Sequence, residues 1–256
     1  MNEQESIWHI PPPQVILHAD EIHIWRVPLD MSLATIERLG QFLAPDERAR
    51  AERFRFARDR NQFTIGRGLL RVLLGRYLVC EPQRVSFRYS SYGKPSLDAP
   101  LSASGLQFNL SHSHQLALLA FTYASNIGVD VEYMRSDVEF EQLAERFFAP
   151  GERTVLQSIS PTLRPEAFYN CWTRKEAYIK ARGEGLSIPL ESFDVSLKPG
   201  EPAVLLRSRE NPSEALRWSL HSLTPGEQYA AALAVEGIAW QLRCWQWLEE
   251  RVHFPR

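Results

Sequence analysis

Residues 127–132 (IGVDVE) alternate between apolar and polar positions with the two-residue period of a β-strand. Val129 and Val131 therefore face one side of the predicted strand, while Asp130 and Glu132 face the other. Asp and Glu are poor strand formers, and like charges on one face repel each other unless a positive group lies between them. The pattern therefore favours a positively charged group, such as a bound cation, between these two carboxylates.

A second pattern, residues 172–180 (WTRKEAYIK), predicts a helix, because it contains Ala177 and no glycine or proline follows before Gly183. Glu176 and Lys180 are four positions apart, so they share one helix face. They form either an ordinary exposed ion pair or a third carboxylate with an adjacent cation. In the second case, Glu176 and the strand carboxylates could hold a hard divalent cation against a phosphate.

The rest of the chain alternates predicted strands and helices. Residues 21–27 predict a strand, a helix starts at Pro45 with acids in its first turn, and residues 63–78 predict a buried helix. Residues 106–121 predict a hairpin of two strands. A helix is predicted at 139–148, and short strands are predicted from 193 to the end of the chain.

Two predicted turns carry polar side chains suited to binding an anion. Residues 91–95 (SYGKP) predict a turn in which Gly93 is the flexible point and Lys94 is exposed. The turn of the predicted hairpin carries four polar residues, namely Ser111, His112, Ser113 and His114. Such side chains and open backbone N–H groups could cradle phosphate oxygens, or they could serve the turn alone.

The chain contains a weak internal repeat. Three pairs of matching segments begin 105 positions apart and two later pairs begin 110 and 113 apart: Ile22 with Ile127, Phe42 with Phe147, Phe63 with Phe168, Leu106 with Leu216, and Gln115 with Gln228. We therefore predict an α+β fold made of two similar halves, residues 21–125 and 126–256, after an N-terminal extension of residues 1–20. This extension contains three consecutive prolines and is expected to be extended over the body or disordered.

The repeat also predicts how many sites the chain carries. In the alignment of the halves, Arg71 takes the place of Glu176, and Val27 takes the place of Glu132. Since only the second half carries the acids, we expect one site, at the seam between the halves.

Composition and charge argue against several classes of function. The 256 residues include 31 acidic and 29 Lys or Arg residues, so the net charge of −2 gives no overall field favouring nucleic acid or a membrane surface. The longest apolar run, near residues 116–121, is far too short to cross a bilayer, and the polar start MNEQES is unlike a secretory signal. Three separated cysteines without a CxxC pair indicate reduced thiols in a cytoplasmic protein.

Positive charge is concentrated between Arg48 and Arg76, where nine arginines accompany two acids. Arginine is suited to bidentate contacts with phosphate and carboxylate groups. The segment is therefore either a solvated helix face or a surface for an anionic ligand or an acidic protein partner.

Several motifs together resemble one enzyme family. They are the YGKP turn, FNLSHS at 108–113, the GVDVE strand, RFF at 146–148, and WTRKEAYIK followed by GEGLSIPL. Over residues 40–200 the chain resembles the long, surfactin-type (Sfp-like) 4′-phosphopantetheinyl transferases. The resemblance implies transfer of the phosphopantetheine arm of coenzyme A to a serine of an apo acyl- or peptidyl-carrier protein, with release of adenosine 3′,5′-bisphosphate. It also implies a monomer whose halves are related by pseudo-twofold symmetry.

The resemblance implies roles for particular residues. Asp130, Glu132 and Glu176 would hold Mg²⁺ on the pyrophosphate, and Lys180 would contact the phosphates. Asp130, Glu176 and Lys180 are the candidate catalytic residues, and Glu176 is the first candidate for accepting the serine proton.

Coenzyme A contacts follow from the same resemblance. The residues implied are Arg50 at the 3′-phosphate, Gly93 and Lys94 at the adenine nucleotide, and Asn109, Ser111 and His112 lining the site, with Lys180 beside them. Some relatives carry basic residues in place of Glu47 and Gln62, and Arg60 or Arg67 could compensate.

Two other functions are alternatives to this transferase. Acids followed by a lysine also occur in Mg²⁺-dependent nucleases, although no basic groove is evident outside the arginine segment. A carrier-binding module that kept the fold and lost the chemistry is the non-enzymatic alternative. The presence of all three acids and the lysine argues against it.

Overall fold

The computed structural model describes residues 7–249, apart from the side chain of Leu186. The helices within these residues are α1 (Leu33–Gly40), α2 (Pro45–Glu52), α3 (Ala57–Leu78), α4 (Phe140–Phe147), α5 (Pro150–Ser158), α6 (Arg164–Arg182) and α7 (Glu214–Arg217). The strands are β1 (Glu21–Pro28), β2 (Phe87–Tyr89), β3 (Pro95–Leu97), β4 (Leu106–Ser113), β5 (Leu116–Tyr123), β6 (Ile127–Tyr133), β7 (Phe193–Val195), β8 (Leu205–Ser208), β9 (Trp218–Leu223), β10 (Tyr229–Glu236) and β11 (Gln241–Gln246). The α+β class is therefore confirmed.

Two sheets form the body of the molecule. The first has the strand order β11-β1-β5-β4, and the second has the order β6-β10-β9. In the first sheet, β5 pairs antiparallel with both β1 and β4. In the second sheet, β10 pairs antiparallel with both β6 and β9. The pairing of these strands is therefore the same in both sheets. β11 comes from the predicted second half, yet it pairs parallel with β1 in the first sheet.

The apolar residues form three clusters that separate four layers. One cluster joins α3 to the first sheet, and another joins α6 to the second sheet. The third lies between the two sheets and contains Ile24 and Leu118 from the first with Val129 and Val131 from the second. The layers therefore run helix, sheet, sheet, helix, and the strand alternation read from residues 127–132 is confirmed.

The helices that precede α3 and α6 begin in the same way. α2 and α5 both have proline in the first turn, and a buried glutamate accepts a hydrogen bond from the N-cap N–H at 2.8 Å, Glu47 in α2 and Glu152 in α5. Each glutamate also pairs with a buried cation of the following long helix. Arg71 lies 2.6 Å from Glu47, and Lys175 lies 2.8 Å from Glu152. These matched ion pairs fix both helix layers against their neighbours.

Strand β6 and helix α6 approach each other unusually closely at Gly128. A Cβ atom at this position would lie 2.2 Å from the carbonyl oxygen of Ala177 and 2.3 Å from the backbone nitrogen of Ala181. Only glycine leaves room for this contact. Because side chains at alternate strand positions share a face, Gly128 lies on the same face as Asp130 and Glu132. The contact therefore turns both acids toward α6.

The ends of the chain agree with the prediction only in part. His9 forms a bridge with Trp245, and the Trp8 indole donates to the Thr224 carbonyl at 2.7 Å, so this part of the extension lies over the body. Residues 1–6 of the predicted extension and 250–256 of the predicted second half lie outside the described residues. Leu216, predicted in a strand, lies in the short helix α7.

Two expectations from composition are also addressed by the structure. Among the helices of the described residues, none has the length and apolar character needed to cross a membrane. Cys80, Cys171 and Cys244 are free thiols, and Cys171 and Cys244 are buried.

Replacing Gly128 with alanine is expected to lower the free energy of unfolding by about 2 kcal/mol or more, since the methyl group has no space. Urea denaturation followed by circular dichroism measures this change. Gly226→Ala is the matched control, because a Cβ there meets only ring atom Cδ2 of Tyr229 at 3.8 Å. An unfolding midpoint for Gly128→Ala as high as that of the control would contradict the close contact.

Candidate active site

Strand β4 lies beside strand β6 at the seam between the two sheets. Side chains at alternate positions of β4 hydrogen-bond to β6. Asn109 Oδ1 accepts from the Val129 N–H at 2.9 Å, and Ser111 Oγ donates to Asp130 Oδ1 at 2.9 Å. The Ser113 hydroxyl lies 2.8 Å from a carboxylate oxygen of Glu132. The two acids are therefore held from the first half although they belong to the second.

Lys180 reaches across from α6 to the same acids. Its Nζ lies 2.6 Å from Asp130 Oδ1 and 2.9 Å from Ser111 Oγ. The sequence left open an exposed ion pair between Glu176 and Lys180, but the lysine pairs with Asp130 instead. Asp130 is only 2% exposed, so this is a partly desolvated charge pair.

Glu132 and Glu176 lie close enough to Asp130 to feel its charge. Burial, and then the negative charge of Asp130, raise the pKa of Glu132 above its usual value, while the Ser113 hydrogen bond and Lys180 act in the opposite direction. Burial and the charges of Asp130 and Glu132 likewise raise the pKa of Glu176, with Lys180 opposing them. Three carboxylates thus share a region that contains one lysine charge, an arrangement that favours a further cation.

The second oxygen of Asp130 provides a test of whether the residues fit a metal ion. Within residues 7–249, Asp130 Oδ2 is buried and has no hydrogen-bond partner. A buried carboxylate oxygen without a partner is costly, and a hard divalent cation would satisfy it. Yet no three acidic, histidine or cysteine side chains of the described residues already converge as a ligand group. The carboxylate oxygens of the site are ligands that suit Mg²⁺. In this structure, however, Lys180 neutralises Asp130.

A cleft of about 480 Å³ opens beside this cluster, between α2, α3, the β2–β3 turn and β4. Four of the predicted coenzyme A residues line it, namely Arg50, Gly93, Asn109 and His112. Arg53 and Arg67 add positive charge to the lining, and Tyr89 adds an aromatic ring. The Arg50 guanidinium stacks 5.2 Å above the Phe63 ring, which fixes it at the wall of the cleft.

His112 connects the cleft to the acid cluster. Desolvation, and then the positive charge of Lys180, lower the pKa of its imidazole. Both effects favour the neutral imidazole near pH 7. His112 can therefore donate or accept a hydrogen bond at the cleft wall.

The hairpin prediction needs one correction. Ser111, His112 and Ser113 were predicted in the turn, but they lie in β4 and pair with Leu118, Ala117 and Leu116 of β5. Of the four polar residues, only His114 lies beyond the strand, with a φ of 54°. The side chains of Ser111 and Ser113 therefore project from a strand, and they carry polar contacts to β6.

Lys94 was predicted to be exposed, and this was wrong. Its ammonium is partly buried and donates to the carbonyl oxygens of Ile127 at 3.1 Å and Ala181 at 3.0 Å. Ala181 lies at the end of α6, where the helix dipole favours a cation. Lys94 therefore joins the β2–β3 turn to the two elements that carry the acids, and burial lowers its pKa to about 8.

The positions that differ from the family pattern have structural roles here. Glu47 is buried and forms ion pairs with Arg67 at 2.5 Å and Arg71 at 2.6 Å. Gln62 donates to the His114 carbonyl at 2.7 Å. Arg67 lines the cleft, where it could replace the basic residues that some relatives carry at these two positions. Part of its charge is balanced by Glu47.

Comparisons with known proteins identify the family. Residues 126–234 match the model of the 4′-phosphopantetheinyl transferase superfamily, and residues 30–124 match the N-terminal model described as 4′-phosphopantetheinyl transferase, N-terminal. The chain is 45% identical to 4′-phosphopantetheinyl transferase HetI of Nostoc sp. strain PCC 7120, over 95% of this chain and 99% of the relative. It is 30% identical to 4′-phosphopantetheinyl transferase Sfp of Bacillus subtilis strain 168, over 77% of this chain and 85% of the relative.

The chain belongs to the 4′-phosphopantetheinyl transferase superfamily. This membership confirms the family resemblance and favours an enzyme over an inactive binding module or a nuclease. A solved structure, Thermotoga maritima holo-[acyl-carrier-protein] synthase (AcpS), aligns at 23% identity and a TM-score of 0.36 over 43% of this chain and 62% of that chain. That likeness is too low to support an argument about fold.

Replacing Lys94 with methionine is expected to change how stability depends on pH. The pKa of Lys94 is about 8 in the folded protein and 10.5 ordinarily. Between these two values of pH, the lysine therefore holds more protons in the unfolded chain than in the folded protein. The stability of the wild type relative to Lys94→Met should therefore rise by on the order of 1–2 kcal/mol between pH 7.5 and 9.5. Urea denaturation of both proteins at both pH values measures it. A constant difference would show that the ammonium is not buried.

Proposed function

We propose that this protein transfers the 4′-phosphopantetheine group of coenzyme A to a serine of an apo acyl- or peptidyl-carrier protein. The observation that carries the proposal is that Asp130, Glu132, Glu176 and Lys180 lie near one another at one seam, beside a cleft of about 480 Å³ whose lining includes three arginines. Phosphoryl transfer needs charge neutralisation and positioning more than covalent chemistry, and this site supplies both. Family membership supports the same reaction.

In the proposed reaction the serine oxygen forms a bond to the phosphorus that carries the pantetheine arm. The bond from that phosphorus to the bridging oxygen breaks, and adenosine 3′,5′-bisphosphate leaves with the bond's electron pair. Glu176 accepts the serine proton, directly or through water. Its half-buried place beside Asp130 and Glu132 supports this role, although a bound cation would lower its basicity. Lys180 turns from Asp130 to the phosphate oxygens.

Asp130, Glu132 and Glu176 hold Mg²⁺ in this proposal. When bound, the ion neutralises pyrophosphate charge and polarises the bond that breaks. The unpartnered Oδ2 of Asp130 supports this assignment, because it offers a desolvated anionic oxygen of the type that Mg²⁺ prefers. The mutual repulsion of the three acids supports it as well, since a bound dication removes the cost of ionising them together.

The cleft beside the acids is the proposed coenzyme A site. Arg50 contacts the 3′-phosphate, and Gly93 lies against the adenine nucleotide. Asn109 and His112 line the coenzyme A site, with Ser111 between them in sequence on β4. Arg67 adds charge to this region. Lys94 contributes by fixing the turn that contains Gly93, since its ammonium is committed to two carbonyl oxygens. Direct contact of Lys94 with the nucleotide is not part of the proposal.

The matching strand order of the two sheets supports a pseudo-twofold relation between halves 21–125 and 126–256, with residues 1–20 as an N-terminal extension. A single site at the seam supports a monomeric enzyme, because both halves come from one chain. Free thiols support a cytoplasmic location. Coenzyme A and the carrier protein are the proposed partners, and neither nucleic acid nor a membrane is among them.

Replacement of Asp130 with asparagine or Glu176 with glutamine is expected to lower kcat/KM by at least about a hundredfold, because each change removes one charge from the site without changing its shape. Mass gain of an apo carrier protein incubated with coenzyme A and Mg²⁺ measures the rate. Glu37→Gln, an exposed glutamate on α1, is the matched control and should keep wild-type activity. Wild-type rates in the first two variants would reject the site assignment.

Surface arginines are expected to accelerate association with an acidic carrier protein. Arg58 has a 78% exposed side chain on the arginine-rich segment, outside the cleft lining. Arg58→Gln should lower kcat/KM toward carrier protein by about two- to fivefold at low salt and little at 0.5 M NaCl, where screening removes the effect. Arg217→Gln, a half-exposed arginine in the second half, provides a comparison. A wild-type rate that does not change with salt would contradict this role.

A further inference from the structure

The hydroxyl of Ser113 makes two hydrogen bonds to strand β6. It accepts from the Tyr133 N–H at 3.1 Å, and it donates to Glu132 Oε2 at 2.8 Å. A serine hydroxyl has a single proton, and the backbone N–H can only donate, so the proton points to the carboxylate. Ser113 therefore presents a fixed donor to Glu132, oriented by the backbone of the residue that follows Glu132 in sequence.

The two strand acids are held in different ways. Asp130 has an ammonium at 2.6 Å and the Ser111 hydroxyl at 2.9 Å. Glu132 forms no ion pair among the described residues, and Ser113 supplies a neutral hydrogen bond to one of its oxygens. A glutamate side chain has three rotatable bonds, and Glu132 is the next-to-last residue of β6, where it is only partly buried. A single donor therefore decides where its carboxylate stands.

We propose that Ser113 is a positioning residue of the transferase: it fixes the Glu132 carboxylate for binding the divalent cation. The proposal rests on the function proposed above, and it gives Ser113 a role different from the phosphate contact that its sequence position suggested. Hydrogen bonds to metal-binding carboxylates orient them and typically affect metal affinity by 10- to 100-fold. Ser113 acts through Glu132, because its hydroxyl is already used by the Tyr133 N–H and the carboxylate.

A purely structural role makes a different prediction. If Ser113 served only to satisfy the Tyr133 N–H, its removal would lower stability and leave cation affinity unchanged once the protein is folded. The two roles therefore differ in the quantity that responds, which is the free energy of unfolding in one case and the dissociation constant of the cation in the other.

The experiment measures Mn²⁺ binding by electron paramagnetic resonance at saturating coenzyme A without carrier protein, so that no turnover occurs. Ser113→Ala should raise the Mn²⁺ dissociation constant by about tenfold. Ser113→Thr keeps the hydroxyl, so its Mn²⁺ dissociation constant should lie within about threefold of the wild-type value. At saturating Mg²⁺, Ser113→Ala should keep kcat within about threefold while the Mg²⁺ concentration for half-maximal rate rises.

A double-mutant cycle separates an effect through Glu132 from a general one. In a Glu132→Gln background, the Ser113→Ala change should alter Mn²⁺ affinity by less than about twofold. Equal affinity in Ser113→Ala and wild type, an undiminished effect in the Glu132→Gln background, or no Mn²⁺ binding to the wild type would overturn the proposal. Mass gain of a carrier protein with the wild-type enzyme tests the proposed function separately, since its absence would reject the transfer reaction whatever the Mn²⁺ affinities are.

Discussion

The direct contact between strand β6 and helix α6 at Gly128 is the constraint on which the site depends. With no side chain between the strand and the Ala177 carbonyl, the helix packs against the strand backbone. This brings Glu176 and Lys180 within reach of Asp130 on the strand. The close approach of the β6 and α6 backbones therefore sets the distance between the strand acids and the helix residues Glu176 and Lys180.

This geometry concentrates negative charge in a desolvated place, which works against stability. Burial and the charge of Asp130 raise the pKa values of Glu132 and Glu176, and one Asp130 oxygen stays without a partner among the described residues. The corresponding positions of the first half avoid this cost, since Trp25 and Val27 are buried in the α3 cluster where Asp130 and Glu132 stand in the second. The first half keeps the fold and supplies the hydroxyls and the amide of β4. We infer that the second half carries unfavourable electrostatics for the sake of the reaction.

The sequence predicted those features that depend on local periodicity. The strand at Asp130 follows from a two-residue pattern, and the helix at Glu176 follows from helix-forming residues that no glycine or proline interrupts. Ser111 and Ser113 were assigned to a turn, because their strand is polar on both faces near its end. The polar side chains are there because they hydrogen-bond to β6, which the local sequence does not reveal. The N-x-S-x-S spacing of Asn109, Ser111 and Ser113 was the available indication. The burial of Lys94 and the pairing of β11 with β1 depend on contacts between distant segments, which local patterns do not contain.

In the proposed function, the seam holds one divalent cation between β6 and α6. The most direct measurement is anomalous diffraction from a crystal of the enzyme grown with coenzyme A and Mn²⁺. We predict one anomalous peak about 2.2 Å from Asp130 Oδ2, with oxygens of Glu132 and Glu176 around it and Lys180 turned toward phosphate. A peak located elsewhere, with Lys180 still paired to Asp130, would contradict the account.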